Sequence, residues 1–131
     1  MQRNNVDPRY FGELLGYNRA VALDNPTRWL IVSGHESRDD DDRICCVGDM
    51  DGQIRQTVRR LEETMTHAGF ALSDVVQIRV VTTDIDDMRA NYNTLPQLLA
   101  DAGCRPASLL AEVNRLSDPD MLVESEAVAA Q

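Results

Sequence analysis

A change of apolar period in the middle of the chain constrains the fold more than any other feature of the sequence. From Ile54 to Ala68 the positions Ile54, Val58, Leu61, Met65 and Ala68 step by three and four, with Arg55, Arg59, Glu62 and Glu63 between them, which predicts an amphipathic helix. Asp49 or Asp51 can cap its start, and Gly69 can take the left-handed position at its end. The segment Asp74–Thr82 then turns β-branched (Val75, Val76, Ile78, Val80, Val81) and reads as a central strand. A helical period returns after Asp84, a second capping residue, with Met88, Tyr92, Leu95, Leu99 and Ala102 on one face before Gly103. Pro96 inside that pattern lacks an amide proton and predicts a bend near Tyr92.

Shorter apolar runs flank this unit. Arg19–Leu23 and Trp29–Ser33 are separated by Asp24-Asn25-Pro26-Thr27, turn chemistry that predicts a β-hairpin. Ile44–Val47 is a further short apolar stretch, and Ser108–Val113 and Met121–Val128 read as two closing strands. The order β-β-(β)-α-β-α-β-β predicts an α/β (α+β) fold, one sheet covered on one face by two helices. Residues 1–15 have no steady period and contain Asp7-Pro8, so they read as an irregular arm before a single domain over 16–131. Trp29 and Tyr92 fall in apolar patterns and read as core, and Cys45 and Cys46 as inert strand residues.

The sheet face away from the helices needs a cover. On the last strand Val123, Ser125 and Ala127 alternate to one side and Leu122, Glu124, Glu126 and Val128 to the other. With Val75 and Val81 of the central strand beside them, the open face is too apolar for a monomer, which predicts a homo-oligomer. Glu124 at such a seam is either paired with an arginine across it or held for chemistry.

Composition excludes several function classes. The chain has no apolar run near the roughly 20 residues of a membrane span, and Met1-Gln2-Arg3-Asn4-Asn5 has no apolar core of a secretory signal. A cytoplasmic location without membrane association is therefore expected. The net charge of −9 disfavours phosphate backbones, so no nucleic acid is expected as a partner. Three cysteines, two of them adjacent, suit reduced thiols better than a disulfide framework. Cys104 beside Arg105 is a possible thiolate, although no catalytic partner for it is evident. The run Asp39-Asp40-Asp41-Asp42 lacks the alternation, glycine and distal glutamate of a calcium loop and reads as solvated chain. All 13 basic residues are arginine, so no protein lysine is present to form a Schiff base.

The motifs together resemble the Rid family, also called YjgF or endoribonuclease L-PSP proteins, over about Gly16–Ala129. Gly16-Tyr17-Asn18-Arg19-Ala20 is similar to the family's Gly-x-Tyr-Ser-x-Ala, and Val32-Ser33-Gly34-His35 to its Val-Ser-Gly-Gln. Asp74-Val75-Val76, Thr83-Asp84, Arg105-Pro106-Ala107-Ser108 and Glu124-Ser125-Glu126-Ala127 complete the series in family order. The resemblance implies a chorismate-mutase-like fold assembled as a homotrimer, with clefts between subunits. It implies hydrolysis of small 2-imino or 2-enamino acids to 2-keto acids and ammonia, with no metal and no organic cofactor.

Carried over by position, the resemblance makes Glu124 the residue that positions the attacking water and Tyr17 a pocket residue, with Ser33 and Gly34 as the pocket floor. His35 stands in place of the usual glutamine and is a candidate acid or base, or equally a histidine held by backbone. The family's carboxylate-clamping arginine follows Pro-Ala, and here that position is Ser108. Two readings follow: Arg105, on the other side of Pro106, reaches into the cleft, or the substrate lacks that carboxylate and is larger or neutral. The competing function is a non-catalytic trimer that binds a metabolite or protein, and a third is a deaminase dedicated to a different single substrate.

Overall fold

The computed structural model describes residues 1–10 and 15–131. In chain order the elements are β1 (Gln2–Val6), β2 (Ala20–Asp24), β3 (Trp29–His35), α1 (Met50–His67), a 3₁₀ turn (Leu72–Asp74), β4 (Val75–Thr82), α2 (Ile85–Ala90), α3 (Thr94–Asp101), β5 (Ala107–Glu112) and β6 (Val123–Ala130). A four-stranded sheet of order β3-β6-β4-β5 carries the fold, and β1 and β2 form a separate two-stranded ribbon. Within the four-stranded sheet only the β4–β5 pair is parallel, and α2 and α3 supply the crossover that a parallel pair requires.

The helix signals in the sequence correspond to named bonds. The Asp49 carboxylate accepts from the Gly52 amide at 3.0 Å and starts α1. At its other end Gly69 is left-handed at φ +77°, and the Phe70 and Gly69 amides donate to the Met65 and Thr66 carbonyls, the paired bonds of a Schellman stop. Met50, Ile54, Val58, Leu61 and Met65 form the buried stripe of α1 against the sheet. Asp84 caps α2 through the Asp87 amide at 3.0 Å.

Several expectations change. The first residues of the predicted irregular arm are ordered, since Gln2–Val6 pairs antiparallel with Ala20–Asp24; residues 11–14 lie outside the described part. The predicted hairpin of the second and third strands does not form, because β2 pairs with β1 and β3 with β6. Its linker is instead held by the end of the last strand, where Thr27 and Arg28 donate to the Gln131 carbonyl. The Ile44–Val47 strand is absent: Ile44 makes one isolated bridge to Arg38, and left-handed Cys46 (φ +57°) ends the extended run. Cys45 and Cys46 are therefore loop residues, with their sulfurs 3.6 Å apart.

The bend expected near Tyr92 is a complete break, with α2 ending at Ala90 and α3 starting at Thr94. Pro96 in the first turn of α3 cannot donate to the Tyr92 carbonyl four residues back, so one continuous helix would lose that bond and clash there. Trp29 is exposed and not in the core. Leu122 packs against the core, and Val75 is fully buried. A bulge between Val75 and Gln77, opposite Ala129 and Val128, reverses the facing expected for Val75.

The rest of the two-faced pattern holds. Val123, Ser125 and Ala127 are buried beneath the helices, while Glu124, Glu126 and Val128 are half-buried on the opposite face. That face also carries Trp29, Ile31 and Leu109, which are 54%, 75% and 53% exposed. Arg79 and Glu126 form an ion pair across neighbouring strands within it.

Candidate functional site

Glu124 sits where β3 departs from regular pairing. Val32 faces Ala127 and His35 faces Ser125, so β3 carries one extra residue in the Ser33-Gly34 stretch. That bulge brings the Gly34 backbone against the Glu124 side chain. A Cβ on Gly34 would lie 2.1 Å from Glu124 Oε1, a contact no other residue type can accommodate without moving the carboxylate. Among the described residues Glu124 has no ion-pair partner, whereas nearby Glu36 is paired with Arg38 and Glu126 with Arg79. Burial raises the Glu124 pKa, and the carboxylates of Glu36 and Glu126 raise it further against the opposing effect of His35.

His35 is held at both ring nitrogens. Nδ1 lies 2.7 Å from the Ser33 carbonyl and Nε2 lies 2.7 Å from Thr64 Oγ1. A carbonyl only accepts, so Nδ1 carries a proton, and in the neutral ring Nε2 accepts from the threonine hydroxyl. The ring thus braces the bulge against α1.

Tyr17 and Ser108 belong to a second group. They line a cavity of about 490 Å³ with Arg89, Tyr92, Pro96 and Leu110 among its walls. Gly16 allows its loop to enter this place: φ is +76° and a Cβ would meet the Pro96 side chain at 2.4 Å. Asn18 then stitches the loop to the start of β5, its amide donating to the Pro106 carbonyl at 2.9 Å and its side chain to the Arg105 carbonyl at 2.5 Å. Two motifs far apart in sequence are neighbours through these bonds. The Tyr92 hydroxyl donates to the Leu15 carbonyl at 2.5 Å. Burial raises the Tyr92 pKa, and the Tyr17 hydroxyl beside it adds to the shift.

Arg105 does not line this cavity. It is exposed in a separate recess with Arg3, Asn5, Ser73 and Cys104, so within one protomer it does not fill the vacancy left at Ser108. Its carbonyl accepts from both Asn18 and Arg3. Cys104 is 3% exposed and its sulfur donates to the Val75 carbonyl. Burial pushes its thiol up to about 11, which removes the thiolate reading at neutral pH.

The two groups lie on opposite faces of the sheet. Residues paired across a ladder share a face: Ser108 pairs with buried Ile78 on the helix side, while Glu124 pairs with Val81 on the open side. One protomer therefore brings Ser33, Gly34, His35 and Glu124 together, and separately Tyr17 and Ser108, but does not join the two sets. Arg89 and Tyr92 also line the second group: Arg89 is not singled out by the sequence, and Tyr92, expected in the core, is half-buried in the cavity wall. Arg89 follows buried Met88 and stands three residues before Tyr92, so it flanks the apolar stripe, but stripe position alone does not reveal a cavity.

Among the described residues no group of three or more His, Cys, Asp or Glu side chains is placed to hold a metal ion. The Asp39 carboxylate instead accepts from the Asp41 and Arg43 amides, and Asp40 pairs with Arg60. No helix among these residues is long and apolar enough to cross a membrane.

The elements and their order define a mixed α+β protein of the YjgF type, with three helices among the described residues on one face of a mixed sheet. Comparison with known proteins agrees: the endoribonuclease L-PSP family matches residues 11–131, and the chain belongs to that family, the Rid/YjgF group. A conserved Rid-family protein of unknown function, YyfB from Yersinia pestis, superposes with a TM-score of 0.86 over 100% of both chains at 25% identity. Rv2704 from Mycobacterium tuberculosis, a member of the YjgF/YER057c/UK114 family, is 32% identical with a TM-score of 0.66 over 99% of this chain and 100% of that one. The RutC family protein PH0854 of Pyrococcus horikoshii is 27% identical over 113 residues, covering 86% of this chain and 85% of its own.

Proposed function

We propose that this chain hydrolyses the imine or enamine of a small molecule, without a cofactor, in a cleft formed between subunits of a homotrimer. The observation that carries the reading is Glu124: a half-buried carboxyl with a raised pKa and no ion-pair partner among the described residues, pressed against the Gly34 backbone on the open face. Such a group suits both halves of the reaction. As carboxylate it takes a proton from water as the oxygen adds to the C=N carbon, and as acid it returns that proton to nitrogen to give the carbinolamine; it then carries the hydroxyl proton to the amine, so that the C–N bond breaks, ammonia leaves and C=O forms. The imine arrives ready-made, since the chain has no lysine to form one.

The intersubunit cleft is supported by the separation of the two groups of residues. Glu124, Ser33, Gly34 and His35 meet Tyr17 and Ser108 only if a second copy applies its open face, and the exposed Trp29, Ile31 and Leu109 supply apolar area for that contact. The trimer, the small-molecule substrate and the cytoplasmic setting form one proposal with the chemistry. Light scattering at micromolar concentration is expected to give three times the 14.7 kDa chain mass. A monomer would remove the intersubunit site.

The direct test is release of ammonia and keto acid from freshly generated 2-aminoacrylate or 2-iminobutanoate, compared between wild type and Glu124→Gln. Wild-type turnover that the variant loses supports the enzyme. Ser108 in the clamp position favours the second reading, a trimer that binds a metabolite without turnover. Equal rates in wild type, variant and buffer, together with measurable ligand binding, would select it.

A further inference from the structure

The cavity beside Ser108 is larger and more apolar than the smallest imino acids need, and it has a cation of its own. At about 490 Å³ it falls in the size range of pockets that enclose molecules well beyond three carbons. Ile78, Val80, Leu95, Leu99 and Leu110 line its walls, while its hydroxyl groups come from Tyr17, Tyr92 and Ser108. Arg89 is the single charged residue among the described residues that line it. The guanidinium has no hydrogen-bond or ion-pair partner among the described residues, although six other arginines do form side-chain bonds or pairs to carboxylates or carbonyls around the fold: Arg3, Arg28, Arg38, Arg55, Arg60 and Arg79. An uncommitted guanidinium at the edge of an apolar cavity is complementary to a ligand with a carboxylate at one end and hydrocarbon at the other.

A basic residue in the last turn of a helix also complements the helix dipole, and Arg89 occupies such a place in α2. That role needs only a charge near the helix end. It does not account for the apolar space beside the charge, nor for the hydroxyl-bearing side chains that line the same cavity.

We infer that Arg89 holds the substrate carboxylate in place of the arginine absent at Ser108, and that the cavity selects acids with a branched or aromatic apolar side chain. This rests on the imine-hydrolysis reading for the identity of the substrate, but the anion site is tested by binding alone. Ser108, being small, leaves open the space that an arginine at that position would fill, so the same substitution that removes one guanidinium admits the larger side chain.

The experiment is calorimetric titration of the full-length protein with stable 2-keto acids, the product side of the reaction. The probes are 4-methyl-2-oxopentanoate, pyruvate, and 4-methylpentan-2-one, in which a methyl replaces the carboxylate. The branched acid is expected to bind at least tenfold more tightly than either of the others. Arg89→Ala is expected to lose at least tenfold for the branched acid, Arg89→Lys less, and Arg105→Ala nothing, with far-UV circular dichroism and particle mass unchanged in all three. The inference is overturned if wild type binds none of the probes, if pyruvate or the ketone binds as well as the branched acid, or if Arg105→Ala carries the loss. Tight binding through Arg89 without any imine hydrolysis would remove the enzyme reading and leave the anion site standing. Hydrolysis of small imines with an unaffected Arg89→Ala would do the reverse.

Discussion

The surroundings of Glu124 and those of Tyr17 differ in how tightly the fold fixes them. Around Glu124, a strand bulge, a glycine in contact with the carboxyl and a histidine bonded at both ring nitrogens leave little freedom. Around Tyr17, one loop is sewn to β5 by Asn18 and the remaining walls are aliphatic side chains about a cavity of about 490 Å³. Proton transfer needs a carboxyl held within hydrogen-bond reach, whereas accommodation of a side chain needs volume. The tight region suits a shared reaction step, and the roomy region suits the choice of substrate.

The largest expected effect breaks the tight region. Glu124→Gln keeps the shape of the side chain and removes its proton exchange, so imine turnover should fall by about 10²–10⁴-fold, the usual contribution of general acid–base catalysis. Retained turnover in a ketoacid-release assay would move the reaction elsewhere. Gly34→Ala tests the same place sterically, because the new methyl would lie 2.1 Å from Glu124 Oε1. It should cost about tenfold or more in kcat, with a smaller change in KM.

On the roomy side the corresponding steric test reads stability. Gly16→Ala forces a side chain into φ +76° and against Pro96 at 2.4 Å, and the strain and overpacking together should cost about 2–3 kcal/mol in urea unfolding. An unchanged midpoint would mean that the loop and α3 separate freely. Ser108→Arg, which supplies a guanidinium at the position the resemblance expects, should raise affinity for pyruvate several-fold and lower it for the branched acid, sharpening the contrast in size selection.

The smallest effect concerns pH. Because the folded pKa of Glu124 is raised, the native state binds this proton more tightly than the unfolded chain does. Stability is therefore lost as pH rises from the unfolded carboxyl value through the folded one, and Glu124→Gln should recover it above that window. A slightly higher Tm for the variant at pH 7, converging with wild type in acid, is the expected result. The same Tm difference at all pH values would assign the effect to packing.

Much of this arrangement was legible because local chemistry carries it. The α1 stripe, the Asp49 and Asp84 caps, the stops at Gly69 and Gly103, and the alternation along β6 each depend on neighbours a few residues away. Strand partners were not legible, since the apolar runs of β2 and β3 fit a hairpin as well as the separate pairings they make. Bulges were hidden for a similar reason: the extra residues near Val76 and Ser33 are seen only against the opposite strand, and each inverts a facing that simple alternation predicts. In the candidate site, Glu124 and Gly34 could be placed by motif. Arg89 could not, because its cavity is built by β4, β5 and the broken α2–α3 segment together.

The position of β6 has a consequence in time. It follows every other described strand in sequence yet lies between β3 and β4, so during synthesis those two strands wait with unpaired edges until β6 itself has been made. The β4–β5 pair can form earlier, but the sheet cannot close around Glu124 before that strand arrives. The waiting edges are the stage at which nascent copies are most exposed to wrong pairing with one another.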